Sequence, residues 1–567
     1  MCGIVGILSK SDRNVTPLIG TMLSCMKNRG PDGMGLATEN QILYSDTFDN
    51  ILFSKVDGHA VLGHSRLAIV GGPCGSQPFT SCNKKLLLEH NGEIYNYKEI
   101  RKNLSSVQHS FSTSTDSEVI VHLLEDQYEK TQGNLVEAIK RTVAQLDGIY
   151  ILVVREQSTG KIVIVRDGIG VRQIYYGENK DFIAFASEKK ALWEVNIFDD
   201  IQRLLPGYAL AISPQNGIPN FNKALIPITI NTKKSISEKY PILYKDLDSA
   251  VNAYSDTLFK SMKKRVGDFK KIGIVFSGGI DSVIVAHLAK QMVPEVICYT
   301  SGIKDSNDIT NSLSIGNSLD LKLEVNELSE QDVENILPQI INIIEDDNMG
   351  QIEVAIPIYG AVNLAHKQGI RVMLTGQGAD ELFGGYSWYS KIVKKYGYEK
   401  IRDYMIEDLK LLYKETLERE DKITMSQSIE LREPFLDTEL IDTVLRIDPR
   451  LNIQNNDNNY DNLGKRVHRK LAEKIGIPKE IAYRIKEAAQ HGSGIHNTID
   501  SIARKNGFNE ATVTSDYLNK MKNRELVGSS QRYGHLFESE NIWALAPHIQ
   551  MYLDSIAANV LPKKELK

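Results

Sequence analysis

Cysteine is scarce in this chain: there are five in 567 residues, Cys2, Cys25, Cys74, Cys82 and Cys298. Their number is odd, they are scattered, and no two form a CxxC pair or stand at zinc-ligand spacing. Neither a disulfide framework nor a structural metal ion is expected. A long apolar run is missing at the start: MCGIVGILSKSDRN has a short apolar stretch with no basic residue ahead of it and charge behind it, so neither a secretory signal nor a spanning segment is expected there. There is no excess of one charge either. Lys and Arg number 67 against 72 Asp and Glu, a formal net charge of -5 at pH 7, so neither nucleic acid nor an anionic membrane is expected as a partner. The expected location is cytoplasmic.

What the chain does have is length, and 567 residues are too many for one core. Its two halves are patterned differently. In the first, short strands are predicted at 4–8, 60–69, 85–89, 149–154, 161–165 and 182–186, with helical patterns at 17–27, 97–104, 117–128 and 135–146. Hairpin strands with helices inserted in blocks predict an α+β domain, an antiparallel sheet sandwich covered by helices. Residues 218–241 hold prolines, asparagines and a basic pair and read as a connector. Beyond a helix at 247–266, apolar strands at 271–276, 295–300 and 370–375 alternate with helical stretches, which predicts an α/β domain on a parallel sheet. The expected division is 1–215, a linker at 216–245, a second domain at 246–511 and a helical tail at 512–567.

The first six residues, Met1-Cys2-Gly3-Ile4-Val5-Gly6, carry the first chemical signal. If the initiator methionine is trimmed, Cys2 holds both a thiol and a free α-amine. The amine titrates at about 7.7–8.0 and the thiol at about 8.5, so the amine can act as the base that activates the sulfur. A buried small hydrophobe at the head of a strand explains the hexapeptide alone equally well. The motifs that follow shift that balance: Asn28-Arg29-Gly30-Pro31-Asp32, Ser65-Arg66-Leu67-Ala68-Ile69-Val70, Asn91-Gly92-Glu93-Ile94-Tyr95-Asn96, Thr115-Asp116-Ser117-Glu118 and Arg166-Asp167-Gly168-Ile169-Gly170.

In this order they resemble the class II glutamine amidotransferases, whose nucleophile is an N-terminal cysteine on an N-terminal-nucleophile (Ntn) fold. The resemblance assigns Cys2 as nucleophile, the Asn91 side chain and the Gly92 N–H as oxyanion donors, Arg66 as the clamp on the glutamine α-carboxylate, and Glu93 with Asp116 as its ammonium site. Such donors suit the chemistry, because one preorganised donor contributes about 3–4 kcal/mol to a tetrahedral intermediate. Taken without the resemblance, Asp116 reads as a helix N-cap, and Arg29 as the holder of a loop.

In the second half, an apolar strand runs into Ser277-Gly278-Gly279-Ile280-Asp281-Ser282 and then a helix. A glycine-rich strand-to-helix turn presents free N–H groups and a positive helix end, so phosphate belongs there. This form resembles the pyrophosphate loop of enzymes that cut ATP between its α- and β-phosphates. The resemblance gives Ser277, Gly278, Gly279, Asp281 and Ser282 to the pyrophosphate, with Val275 near the adenine. Downstream, Thr375-Gly376-Gln377-Gly378-Ala379-Asp380-Glu381, Glu433-Pro434-Phe435-Leu436-Asp437 and Tyr483-Arg484-Ile485-Lys486-Glu487 are similar to asparagine synthetase signatures. They add Gly376 and Asp380 to the nucleotide site, Asp281 and Asp380 as carboxylates for Mg²⁺ through pyrophosphate, and Lys486 as the catalytic cation. Two positions depart from that pattern: Gln377 stands where a glutamate is usual, and Gly350-Gln351-Ile352-Glu353 where a Thr-Thr-Ile-Arg run is usual. Both mark the acceptor pocket.

As a whole the chain resembles glutamine-hydrolysing asparagine synthetase. That implies a glutaminase domain and an ATP-dependent synthetase domain, with ATP and Mg²⁺ as cofactors and glutamine, ATP and aspartate as small-molecule partners. A homodimer is an open possibility. Three alternatives stand beside this reading: the same chemistry on another carboxylate, a glutaminase or regulatory protein with a degenerate synthetase half, and a cysteine-dependent binding module without catalysis.

Overall fold

The computed structural model describes residues 1–11, 13–47, 56–72, 74–105, 109–199, 201–215, 218–228, 240–454, 464–485, 488–523, 532–533 and 546–562. The chain divides into two compact units, Met1–Ser235 with Met425–Ser428, and Ile236–Thr424 with Ile429–Lys567.

The first unit rests on two antiparallel sheets. One is ordered Gln202–Arg203, Tyr175–Glu178, Phe182–Ala186, Cys2–Ser9, Ala60–Arg66, Met34–Ala37, Ile42–Ser45. The other is ordered Ile218–Pro227, Tyr208–Gln215, Ile162–Arg166, Gly148–Glu156, Leu86–Ile94, Phe79–Thr80. The two-residue period of a strand decides the layers. Ile4 and Leu8 face the second sheet and share a core with Leu87, Ile151, Val153, Ile162 and Ile164. Val5 and Ile7 face the other way and are covered by Ile19, Met22 and Leu23 of the Thr16–Ser24 helix. On the far side Leu86, Leu88, Leu152 and Val154 pack against Val119, Leu123 and Ile139 of two further helices, Asp116–Lys130 and Leu135–Val143. The order helix, sheet, sheet, helix is the expected α+β sandwich.

Two sequence readings need correction here. The strand Ile218–Pro227 lies inside the stretch read as linker 216–245, and pairs with Tyr208–Gln215. It is an edge strand, where a proline breaks no ladder that a neighbour needs, so its prolines mimic a connector. The N-cap of the Asp116–Lys130 helix is Thr115, whose side chain accepts the Glu118 N–H, which leaves Asp116 in the first turn.

Glu89 is a buried carboxyl on the Leu86–Ile94 strand, and neither of its oxygens has a hydrogen-bond partner among the described residues. Burial pushes its pKa well above the ordinary 4.5. Below about 4.5 folded and unfolded chains both hold the proton. Above it only the unfolded chain releases it, so this group lowers stability as pH rises toward the folded value. Glu89→Gln, which keeps the neutral shape, is expected to raise the melting temperature by a few degrees at pH 8 and by less at pH 5. Thermal melts of both proteins across that range check this, and parallel curves would refute it.

The second unit carries five parallel strands in the order Lys322–Leu328, Glu295–Ile303, Lys271–Val275, Val372–Leu374, Glu430–Arg432. The strand order reverses between Lys271–Val275 and Val372–Leu374, and a crevice opens at the carboxyl ends of such a pair. The tail holds the helices Ser515–Asn523 and Pro547–Ala557, while 541–545, also read as helical, lie outside the described residues. Among the described residues no helix is long and apolar enough to cross a membrane.

Candidate active sites

Cys2 starts the central strand of the first sheet, opposite Arg66. Its N–H donates to Asn91 Oδ1 at 2.9 Å. This bond orients the amide: the carbonyl must face the Cys2 nitrogen, so Nδ2 is turned away from it. Asn91 Nδ2 is buried with no hydrogen-bond partner among the described residues, a donor held ready in a low-dielectric place. Gly92 follows because nothing larger fits: a Cβ there would lie 1.9 Å from Ile149 O. The Cys2 carbonyl is fixed by Arg29 Nε at 3.2 Å, and Arg29 is held by Glu188 at 2.9 Å. Burial pushes the Cys2 thiol up, opposed by the amino-terminal charge, the Leu67 N–H and Arg66, with Asp116 adding to the rise.

The groups expected to hold glutamine sit around this point. Arg66, opposite Cys2, is buried and donates to Gly72 O at 2.7 Å and Val70 O at 3.4 Å. Asp116 Oδ2 accepts the Ile94 N–H at 3.0 Å, which ties the helix start to the strand of Asn91. Glu93 is buried two residues beyond Asn91, on the same face of that strand.

In the second unit the Lys271–Val275 strand leads through Gly278, at φ +65°, into the Ile280–Met292 helix with Asp281 in its first turn. Ser277 is exposed, Ser282 Oγ donates to Gly279 O at 3.0 Å, and Arg484 Nη2 donates to Gly278 O at 2.8 Å. The neighbouring Val372–Leu374 strand delivers Gly376 against this turn: a Cβ there would lie 2.8 Å from Asp281 Cβ and 2.9 Å from Ser282 N. The two glycine loops therefore form one floor, with Val275 half-buried at its edge.

The cation above that floor is Lys465, which sequence reasoning missed. Its ammonium lies 2.7 Å from Asp281 Oδ2 and 2.7 Å from Asp380 Oδ1, in a buried position. Burial lowers the lysine pKa, but the two carboxylates more than reverse this and hold it above its ordinary value. His468 Nε2 stands 3.1 Å from Asp281 Oδ1, with Tyr254 OH 2.7 Å from its Nδ1. The second carboxylate of the signature diverges: Glu381 accepts Tyr386 OH at 2.8 Å, and burial, with Asp380 nearby, pushes it up to about 7. Lys486 lies outside the described residues. Glu433-Pro434-Phe435-Leu436-Asp437 is framework: Asp437 caps the Thr438–Val444 helix and pairs with Arg265 at 3.0 Å.

Gln377 and Glu353 enter separate networks. The Gln377 amide donates to Glu420, which also accepts from Arg419 Nη2 at 3.3 Å, and Arg419 Nη1 donates to Gln351 Oε1 at 2.7 Å. Burial pushes Glu420 up to about 7, against the pull of Arg419 and the Gln377 amide. A buried guanidinium thus stands near Gln377 although the Gly350–Glu353 stretch supplies none. Glu353 pairs with His496 Nδ1 at 2.7 Å, and that hydrogen bond raises the His496 pKa. The carboxylate so has its own imidazole partner.

Comparison with known proteins covers both units. The asparagine synthase family model matches residues 253–554, and the glutamine amidotransferase domain model matches residues 1–206. A Methanocaldococcus jannaschii protein, provisionally named asparagine synthetase (glutamine-hydrolysing) 1, is 32% identical over 559 residues, 92% of this chain and 99% of that protein. Glutamine-hydrolysing asparagine synthetase of Brassica oleracea is 28% identical over 518 residues, 88% of this chain and 80% of that one. The nodule asparagine synthetase of Pisum sativum is 28% identical over 523 residues, with the same shares.

Proposed function

The chain belongs to the glutamine-hydrolysing asparagine synthetase family and is an enzyme of glutamine-dependent amidation; from that premise we propose that it converts aspartate to asparagine through an acyl-adenylate, with ATP cleaved to AMP and pyrophosphate. The observation that carries the first half is the Cys2–Asn91 pair. With Met1 removed, the nitrogen that faces Asn91 Oδ1 is an α-amine, and it takes the thiol proton. The sulfur attacks the glutamine amide carbon while Asn91 Nδ2 and the Gly92 N–H receive the oxyanion. The protonated amine gives its proton to the departing nitrogen, ammonia leaves, and water hydrolyses the thioester to glutamate. Arg66 takes the substrate α-carboxylate, and Asp116 with Glu93 its ammonium.

In the second unit the loop N–H groups at 277–282 and Lys465 hold the phosphates. The carboxylates Asp281 and Asp380 fit Mg²⁺, since both already converge on one cation and offer hard oxygen donors. Bound with the phosphates, Mg²⁺ would neutralise charge developing on pyrophosphate. The aspartate β-carboxylate attacks the α-phosphorus, pyrophosphate leaves, and ammonia displaces AMP from the acyl carbon. An acceptor with two carboxylates calls for a guanidinium, and Arg419, next to Glu420 and Gln351, supports that role despite the altered Gly350–Glu353 stretch.

The test is pyrophosphate release from ATP, Mg²⁺ and glutamine, with and without aspartate, and the amidated product identified by mass. Aspartate-dependent pyrophosphate with one asparagine per pyrophosphate is expected. Intact glutamine hydrolysis with no response to aspartate would overturn the acceptor, and a panel of other carboxylates then becomes the next measurement.

A further inference from the structure

Away from Cys2, four metal-competent side chains of the first unit converge. One ligand atom each from Cys82, His109, His122 and Glu125 lies within 4.8 Å of all the others. Cys82 Sγ is 3.4 Å from His122 Nδ1 and 3.7 Å from His109 Nδ1. Glu125 Oε2 is 3.7 Å from His109 Nδ1 and 3.9 Å from His122 Nδ1. Around a tetrahedral zinc ion with bonds of about 2.0–2.3 Å, ligand atoms stand about 3.3–3.6 Å apart. The cluster is thus within about half an ångström of that figure along these four edges.

The backbone builds this cluster from one helix, a turn and the segment that precedes the helix. Cys82 sits in the turn between Phe79–Thr80 and Leu86–Ile94, a turn anchored by Glu125, whose carboxylate accepts the Cys82 N–H at 2.9 Å and the Asn83 N–H at 2.7 Å. His122 and Glu125 are one turn apart on one face of the Asp116–Lys130 helix. His109 stands on the segment that leads into that helix.

Both imidazoles turn Nδ1 to the cluster and Nε2 to a carboxylate behind: His109 Nε2 to Asp126 Oδ1 at 2.9 Å, and His122 Nε2 to Glu118 Oε1 at 3.8 Å. A carboxylate only accepts, so the His109 proton belongs on Nε2 and its Nδ1 offers a lone pair. This is how metal-bound histidines are backed. The His109 Nδ1 lone pair and the Glu125 carboxylate then face the Cys82 thiol, with His122 Nδ1 3.4 Å from the sulfur. A cation resolves this excess of acceptors.

We propose that Cys82, His109, His122 and Glu125 form a structural zinc site. One thiolate, two imidazoles and one carboxylate suit Zn²⁺ in softness and number, and the two anionic ligands balance its charge. The ion would tie the Cys82 turn to the helix that begins with Asp116. The expectation of no structural metal came from the spacing of cysteines alone, and this set mixes three residue types.

The experiment uses the full-length chain carrying Cys2→Ala, which removes the other thiol at a functional site, together with the same chain carrying Cys82→Ser. Cys82 is exposed, so serine there leaves the core untouched. After metal stripping, Co²⁺ titration of the first protein is expected to saturate at about one equivalent, with the intense visible bands of a tetrahedral site and a thiolate-to-cobalt band in the near ultraviolet. Cys82→Ser is expected to lose the thiolate band and to bind at least ten-fold more weakly. Zn²⁺ is expected to raise the melting temperature of the first protein and not of the second. Absence of stoichiometric binding, or binding that Cys82→Ser leaves unchanged, overturns the site.

Discussion

Replacing Cys2 by alanine is expected to reduce glutamine-dependent amidation by at least about three orders of magnitude while leaving ammonia-supported amidation within about two-fold. The asymmetry follows from where Cys2 stands. Its backbone is held by Arg66 of the flanking Ala60–Arg66 strand, by the Asn91 side chain and by Arg29, none of which needs the sulfur. The fold of the first unit should therefore survive, and the second unit keeps its own floor of Asp281, Gly376 and Lys465. The control is the intact mass of the wild-type protein, which should lack the initiator methionine. Loss of both activities in a folded Cys2→Ala protein would contradict independent chemistry in the two units. Full glutamine use in the variant would dismiss Cys2 as nucleophile.

The legible parts of this molecule are those with a local period or a local turn. The apolar run at 4–8 reads as a strand, and the structure places Ile4 and Leu8 in one core and Val5 and Ile7 in another. The turn at 277–282 is readable because its strand and its helix adjoin it. The hidden parts are pairings between distant residues. Lys465 meets Asp281 across 184 positions, and His496 meets Glu353 across 143. Taken alone, a lysine before an amphipathic helix reads as solvated. The Glu353 substitution looks repulsive in sequence because its partner is invisible there. Arg419 escaped notice for the same reason: its neighbours Gln351 and Gln377 belong to other elements. The Ile218–Pro227 strand was obscured differently, by prolines that only an edge position tolerates.

Lys465→Met is expected to lower pyrophosphate formation by about 10²–10³-fold with either ammonia or glutamine as donor, and to leave glutamine hydrolysis unchanged. The side chain occupies a slot fitted to it: a Cβ on Gly385 would lie 2.0 Å from Lys465 Cε and 2.0 Å from Asp380 Oδ1. Methionine fills that slot but leaves Asp281 and Asp380 without the ammonium between them. Arginine carries the charge but is too broad for the gap, so Lys465→Arg should not restore the rate. Higher Mg²⁺ is expected to recover binding of ATP in Lys465→Met more than turnover, because a second cation can separate the carboxylates without standing where the lysine stands. Steady-state pyrophosphate assays over a Mg²⁺ series separate the two effects. A Lys465→Met enzyme within a few-fold of wild type would make Lys465 only a resting partner for the carboxylates, and would return the role of catalytic cation to Lys486.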